Sequence, residues 1–160
     1  MTTLLLLVGT MTGNAEIAAE EMQQVFREEC GCDARLQLMD GIDAGIFHAN
    51  DVVVVCTSTY GEGDVPENAR PLYDELCSRR PDLSGVRYAV FGLGDSNYRE
   101  TFNAGGRRFD EILSALGARR LGERAVHDAQ SGVEPWDYGR EWARGWYAAV
   151  RAELERSGAP

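Results

Sequence analysis

Apolar positions recur along this chain in two rhythms. Leu4–Val8, Val52–Cys56 and Tyr88–Phe91 are short unbroken apolar runs, and each ends at a loop rich in Gly, Thr or Ser. Runs of this kind predict strands covered on both faces, as in a parallel sheet. Ala34–Leu38 and Arg120–Val126 alternate instead, which predicts strands nearer the sheet edges. Between these runs the period lengthens to that of a helix. Ala18, Met22 and Val25 share one face, as do Ala69, Leu72, Tyr73 and Leu76. Phe109, Ile112, Leu113 and Leu116 form the sharpest stripe, and Gly117 ends that helix. A last helix from about Pro135 carries Trp142, Trp146, Val150 and Leu154, whose tryptophans are assigned to core packing.

Five strand–helix units predict a doubly wound α/β sandwich, because parallel strands must be joined by crossovers. The 160 residues are expected to form one domain over 1–160, long enough for a single good core. In such folds ligands bind beyond the carboxyl ends of the strands, at the switch point. The loops after strands one, three and four are therefore where chemistry is sought.

Charge and cysteine usage narrow the class. A formal charge of −10 argues against nucleic acid, and it permits a basic protein partner met by electrostatic steering. All 16 cationic residues are Arg and none is Lys, which excludes a Schiff-base or P-loop lysine. Leu4–Val8 is too short to span a bilayer and no basic residue precedes it as a leader would require, so no membrane partner and a cytoplasmic location are expected. Cys30 and Cys32 are one residue apart, unlike a CxxC pair, and His48 and His127 lie far from them. No metal set is expected, and the thiols are read as small buried or half-exposed groups.

Three loops carry the candidate chemistry. After the first strand the chain reads Gly9-Thr10-Met11-Thr12-Gly13-Asn14-Ala15-Glu16 as a helix begins. Amides at a helix start, two hydroxyls and a glycine can hold a phosphate through N–H groups and the helix dipole, although the same residues also serve as ordinary N-caps. The spacing fits neither GxxxxGK[ST] nor GxGxxG. The second loop, Thr57 to Ala69, places Tyr60 among glycines, where it is suited to lie flat on a planar ligand. Gly61 and Gly63 let the backbone approach that ligand. The third, Phe91 to Asn103, places Tyr98 in the same setting, and its Gly92-x-Gly94 pair lacks the third glycine of a dinucleotide turn because position 97 is Asn.

Taken together, Thr10 to Glu16, Thr59 to Asp64 with Pro66, Asn68 and Ala69, Phe91 to Tyr98, Phe102-Asn103 with Gly106, and Leu116 to Arg120 resemble the flavodoxin superfamily. The likeness is to its short-chain branch, the MioC-like proteins and the sulfite reductase-type and other diflavin reductase FMN domains. It implies a flavodoxin-like five-stranded parallel sheet in the order 2-1-3-4-5 with helices on both faces, and a bound FMN. By resemblance, Thr10, Met11, Thr12, Gly13, Asn14 and Ala15 hold the phosphate, and Tyr60 and Tyr98 sandwich the ring. Ser58, Thr59 and Gly61 line the ring through backbone groups, with Glu62 and Gly63 completing that loop. Leu93, Gly94 and Asp95 meet the pyrimidine edge beside Asn97, and Phe102 and Asn103 close the site. No long insertion interrupts the last strand around Leu121–Val126.

The function implied is electron carriage rather than catalysis, from an NAD(P)H-dependent flavin reductase to a redox protein. Glu62, Asp64, Glu67 and Asp95 are expected to disfavour the extra negative charge of fully reduced flavin. A backbone carbonyl near Gly61 is expected to accept a hydrogen bond from a protonated N5, separating the two one-electron steps. Two alternatives stand: an FMN-dependent NAD(P)H:quinone-type oxidoreductase, and an FMN-binding accessory protein. A monomer is expected, and the Met1 start with a helix closing just before Pro160 favours a free-standing protein over a piece of a diflavin reductase.

Overall fold

Alternate residues of each apolar strand feed two separate cores, one on either face of the sheet. Leu4, Leu6, Val8, Val52, Val54, Ala89 and Phe91 join the first, and Leu5, Leu7, Val53, Val55, Tyr88 and Val90 join the second. This is why the runs read as apolar without alternation: neither face of these strands meets water.

The computed structural model describes residues 2–61 and 63–157. The strands are β1 (Thr3–Gly9), β2 (Asp33–Leu38), β3 (Val52–Thr57), β4 (Arg87–Gly94), β5 (Arg119–Arg120) and β6 (Ala125–Asp128). The helices are α1 (Asn14–Glu28), α2 (Arg70–Arg79), α3 (Ala104–Ala115) and α4 (Pro135–Ser157), with short 3-10 turns at Ala44–His48, Glu67–Ala69 and Ala129–Ser131. All strand pairs are parallel, in the order β2-β1-β3-β4, with β5 and then β6 along the outer edge of β4. The five strand positions thus follow the order 2-1-3-4-5. Helices α1 and α4 cover the first core through Met22, Phe26, Trp146, Val150 and Leu154. Helices α2 and α3 cover the second through Leu72, Leu76, Phe109 and Leu113. The tryptophans of α4 pack as expected: Trp142 and Trp146 stack at 5.4 Å between centroids.

The last strand differs from the expected continuous run over Arg120–Val126. Arg120 is paired with Tyr88, the chain then leaves the sheet, and pairing resumes at Ala125 opposite Phe91. Gly122, at φ +77, turns the excursion through the left-handed region. Trp146 Nε1 donates to Leu121 O at 2.8 Å and Arg120 Nε donates to Gly122 O at 2.9 Å. Both ends of the detour are fastened to Asp110 on α3, which accepts from Arg120 Nη1 at 2.6 Å and Arg124 Nη1 at 3.2 Å. The sequence alternation hid the break because Leu121 and Ala125 are both buried, as in a continuous strand.

The thiols also differ in part. Cys32 and Cys56 are buried and Cys30 is half-buried, but Cys77 is exposed on α2. Burial pushes the Cys56 thiol far up, so it stays protonated. Among the described residues no three His, Cys, Asp or Glu side chains gather as a metal set, and no helix is long and apolar enough to cross a membrane.

Asp110 is a buried carboxylate whose partners include the Tyr88 hydroxyl, donating at 2.6 Å. Burial and that carboxylate together push the Tyr88 phenol well above its ordinary range. Removing the hydroxyl leaves a buried charge one donor short, a loss of about 1–3 kcal/mol. Tyr88→Phe is therefore expected to lower the urea midpoint by that stability with the slope unchanged, while Leu6→Ala, which opens a core cavity, costs about 2–5 kcal/mol.

Candidate functional site

The first loop is shaped by its own polar groups and by a distant asparagine. α1 is entered from Gly13, in the left-handed region at φ +92, and no side chain caps the helix. Its opening N–H groups have no acceptor within the helix, which makes an anion site. Thr10 Oγ1 accepts from Gly13 N at 2.9 Å, leaving its own O–H free to donate. Asn68, in the turn before α2, accepts from Thr10 N at 2.9 Å and donates to Val8 O at 3.3 Å and Asp40 Oδ2 at 3.2 Å. Met11, Thr12 and Asn14 are exposed at the mouth. The methyl of Ala15 is in the core, so only its backbone can face an anion.

The second loop is a tied hairpin tip. Tyr60 and Asp64 exchange backbone hydrogen bonds of 2.8 Å in both directions. Gly61 stands at φ +55 with open space around it, where any side chain is strained. Gly63 is buried behind this turn, its carbonyl accepting from Arg108 Nε at 2.7 Å, and Asp64 is ion-paired to Arg70. Glu62 lies outside the described residues. Thr59 joins the loop to its neighbours, donating to Leu93 O at 3.3 Å and accepting from Gly105 N at 3.0 Å. A Cβ at Gly105 would collide with Ser58 O, so glycine there is what lets α3 start against this loop.

The third loop turns at Asp95, whose Oδ1 accepts from Asn97 N at 2.9 Å. Tyr98 beyond it is 66% exposed and lines the cleft, whereas Tyr60 on the second loop is 41% exposed and is not among the lining residues. Asn103 is buried at the entry to α3, donating from Nδ2 to Gly92 O at 3.0 Å, and its Oδ1 has no hydrogen-bond partner. Phe102 packs against Gly94. Gly63, Asn103 and the methyl of Ala15 are buried.

These loops meet in a cleft of about 680 Å³, within the range of small-molecule sites. Thr12, Asn14, Ser58, Thr59, Gly61, Leu93, Gly94, Asp95 and Tyr98 line it, drawn from all three expected loops. A fourth wall comes from His127, Ala129 and Gly132 to Pro135, which the sequence reading did not include. His127 Nε2 lies 2.6 Å from Val133 O, so that nitrogen carries the hydrogen and donates. The signal available was positional: β6 ends beside β4, so its loop opens onto the same edge. Among the described lining residues Asp95 and Glu134 carry carboxylates and none is Arg. Asp128, just beneath, accepts from the amides of Gln130 and Ser96, which hold its carboxyl below the usual carboxylate range.

A larger cleft, about 1110 Å³, opens at the amino ends of the strands beside Thr2, Cys30 and Asp51. Its two arginines are already paired, Arg144 with Glu29 and Arg151 with Glu155. It lies away from the switch point, at the opposite ends of the strands.

The flavodoxin family model matches residues 6–142. Flavodoxin YqcA of Pectobacterium carotovorum subsp. carotovorum is 34% identical over 146 residues, which span 91% of this chain and 95% of that protein. Human NADPH–cytochrome P450 reductase is 48% identical over 85 residues, 53% of this chain and 12% of the reductase. A cysteine-to-alanine variant of the Pseudomonas aeruginosa flavodoxin superposes with a TM-score of 0.82 at 31% identity, covering 93% of this chain and 99% of that one. A family match across most of the strands and all three expected loops, with the fold agreeing over the same span, means that the chain belongs to the flavodoxin family of FMN-binding electron carriers.

Proposed function

We propose that residues 1–160 act as one domain that holds a single FMN across this cleft. As a cytoplasmic monomer it relays single electrons from an NAD(P)H-dependent flavin reductase to a redox protein. The observation that carries this reading is where the exposed apolar surface lies. Among the described residues the large exposed apolar side chains are Met11, Ile17, Tyr60, Tyr98 and Val133. Four of them stand on the four loops around the cleft and Ile17 stands in the first turns of α1. Scattered exposed apolar groups need no account, but a cluster at one end marks a contact surface. A partner seated there meets the flavin edge directly, and the acidic character of the chain steers basic partners to it.

Bound FMN supplies the one-electron chemistry; the protein's share is binding and bias. The phosphate is held by the amides at the start of α1 and by the hydroxyls of Thr10 and Thr12. Arg70 and Arg108, at the neighbouring loop, are committed to Asp64 and Gly63 O and do not neutralise it. Tyr60 and Tyr98 flank the ring, with Ser58, Thr59 and Gly61 on one side and Leu93, Gly94, Asp95 and Asn97 at its edge. Asp95 and Glu134 disfavour added negative charge in the cleft, so the second electron is harder to place than the first. Gly61, unstrained in its left-handed conformation, would offer its carbonyl to the ring as a hydrogen-bond acceptor.

Anaerobic stepwise reduction of the purified holoprotein is expected to show two resolved one-electron steps, and NAD(P)H alone is expected to leave it oxidised. Direct NAD(P)H oxidation without a reductase would replace this reading with the quinone-reductase one. Asn68→Ala frees Thr10 N and loosens the phosphate loop; FMN affinity, read by quenching of flavin fluorescence, is expected to fall about 5- to 30-fold. Gly61→Val is expected to narrow the gap between the two midpoint potentials by about 20–65 mV, one hydrogen bond of about 0.5–1.5 kcal/mol per electron.

A further inference from the structure

Two of the four loops that wall the cleft are bonded to each other. Gly94 and Asp128 are register partners at the ends of β4 and β6, and each strand then enters a turn begun by an aspartate. Asp95 Oδ1 accepts from Asn97 N at 2.9 Å, and Asp128 Oδ1 accepts from Gln130 N at 2.9 Å. Each turn also reaches across to the other. Asp128 Oδ1 accepts from Ser96 N at 3.0 Å, and Gln130 Nε2 donates to Asp95 Oδ1 at 3.0 Å. The far end of the second loop is fixed by the His127 to Val133 O bond. Neither Asp128 nor Gln130 lines the cleft, while Asp95, Tyr98, Ala129 and Gly132 to Pro135 do.

We propose that Asp128 and Gln130 are positioning residues for the flavin, locking the 95–98 loop to the 128–135 loop so that both walls are set as one piece. The inference rests on the FMN reading and adds to it a route by which residues out of reach of the ring govern its affinity and potentials. A loop bearing Tyr98, two-thirds exposed, has little packing to hold it. Its conformation is fixed by these bonds instead, so binding avoids part of the ordering cost. The Asp95 carboxylate, which lines this wall, accepts from the side-chain amide of Gln130 and is held in place by it.

Three substitutions separate position from charge. Gln130→Ala removes only the cross-loop bond to Asp95. Gln130→Glu keeps the length and sets a second carboxylate against Asp95. Asp128→Asn keeps an oxygen that can accept both amides while removing the charge. The expected order of FMN affinity is parent, close to Asp128→Asn, then Gln130→Ala about 2- to 10-fold weaker, then Gln130→Glu weaker still. The gap between the two midpoint potentials is expected to change in both Gln130 variants, a shift that a merely structural role, lowering thermal stability alone, would not produce. Independently of flavin, the Ser96 and Gln130 amides are expected to exchange with solvent slowly in the parent and about tenfold or more faster in Asp128→Ala. The proposal is overturned if both Gln130 variants match the parent in affinity and potential gap, or if those two amides exchange freely in the parent. If the parent takes up no FMN, the proposed function itself fails and the flavin role of the tie fails with it; slow Ser96 exchange would then still establish the tie.

Discussion

An anion held by backbone amides is held by loop shape, and the rest of the site follows from that constraint. A lysine can follow a phosphate on a flexible stem, but a row of N–H groups binds only while the peptide planes stay aimed. With no lysine in the chain, the loop between β1 and α1 must be rigid. Its stiffness is supplied from both ends. Thr10 Oγ1 closes the turn onto Gly13 N, and Asn68 grips Thr10 N and Val8 O from the turn before α2. The same device recurs along the cleft: Thr59 bonds Leu93 O and Gly105 N, and the Asp95 and Asp128 turns bond each other. Short polar side chains bonded to neighbouring backbone set each loop where a sheet edge could not.

Much of this was legible from residue order. Leu4–Val8, Val52–Cys56 and Tyr88–Phe91 are apolar at every position, which predicts strands covered on both faces, and the two cores show why. The loops after β1, β3 and β4 mark the site in the sequence because hydroxyls, glycines and tyrosines gather there at strand ends. What escaped was long-range. The detour after Arg120 depends on Asp110, ten residues away on α3, and on Trp146 of α4, so local alternation carries no trace of it. The wall formed by Gly132 to Pro135 has no aromatic or glycine-rich signature of its own. It belongs to the cleft only because β6 lies beside β4. Asn103 is buried and donates to Gly92 O, a contact between the entry to α3 and the end of β4 that residue order does not reveal.

Charge does a second, separable task. In the proposed site the phosphate is met by uncharged groups, which leaves the acidic residues of the lining to act on the flavin's redox state. Asp95 and Glu134 sit at the lining and Asp64 behind the hairpin tip, paired with Arg70. A site built this way tolerates an overall charge of −10, since several aligned amides outweigh screened repulsion from the surface. The exposed apolar side chains at the same end then give a partner something to touch once charge has brought it near.

The direct test of the amide cradle is the apoprotein's affinity for FMN against riboflavin, which has the same ring and lacks the phosphate. Hydrogen bonds to a charged group are worth about 1.5–3 kcal/mol each, so FMN is expected to bind about 100-fold tighter or more. Equal affinity for the two flavins would contradict the account, because the start of α1 would then hold nothing.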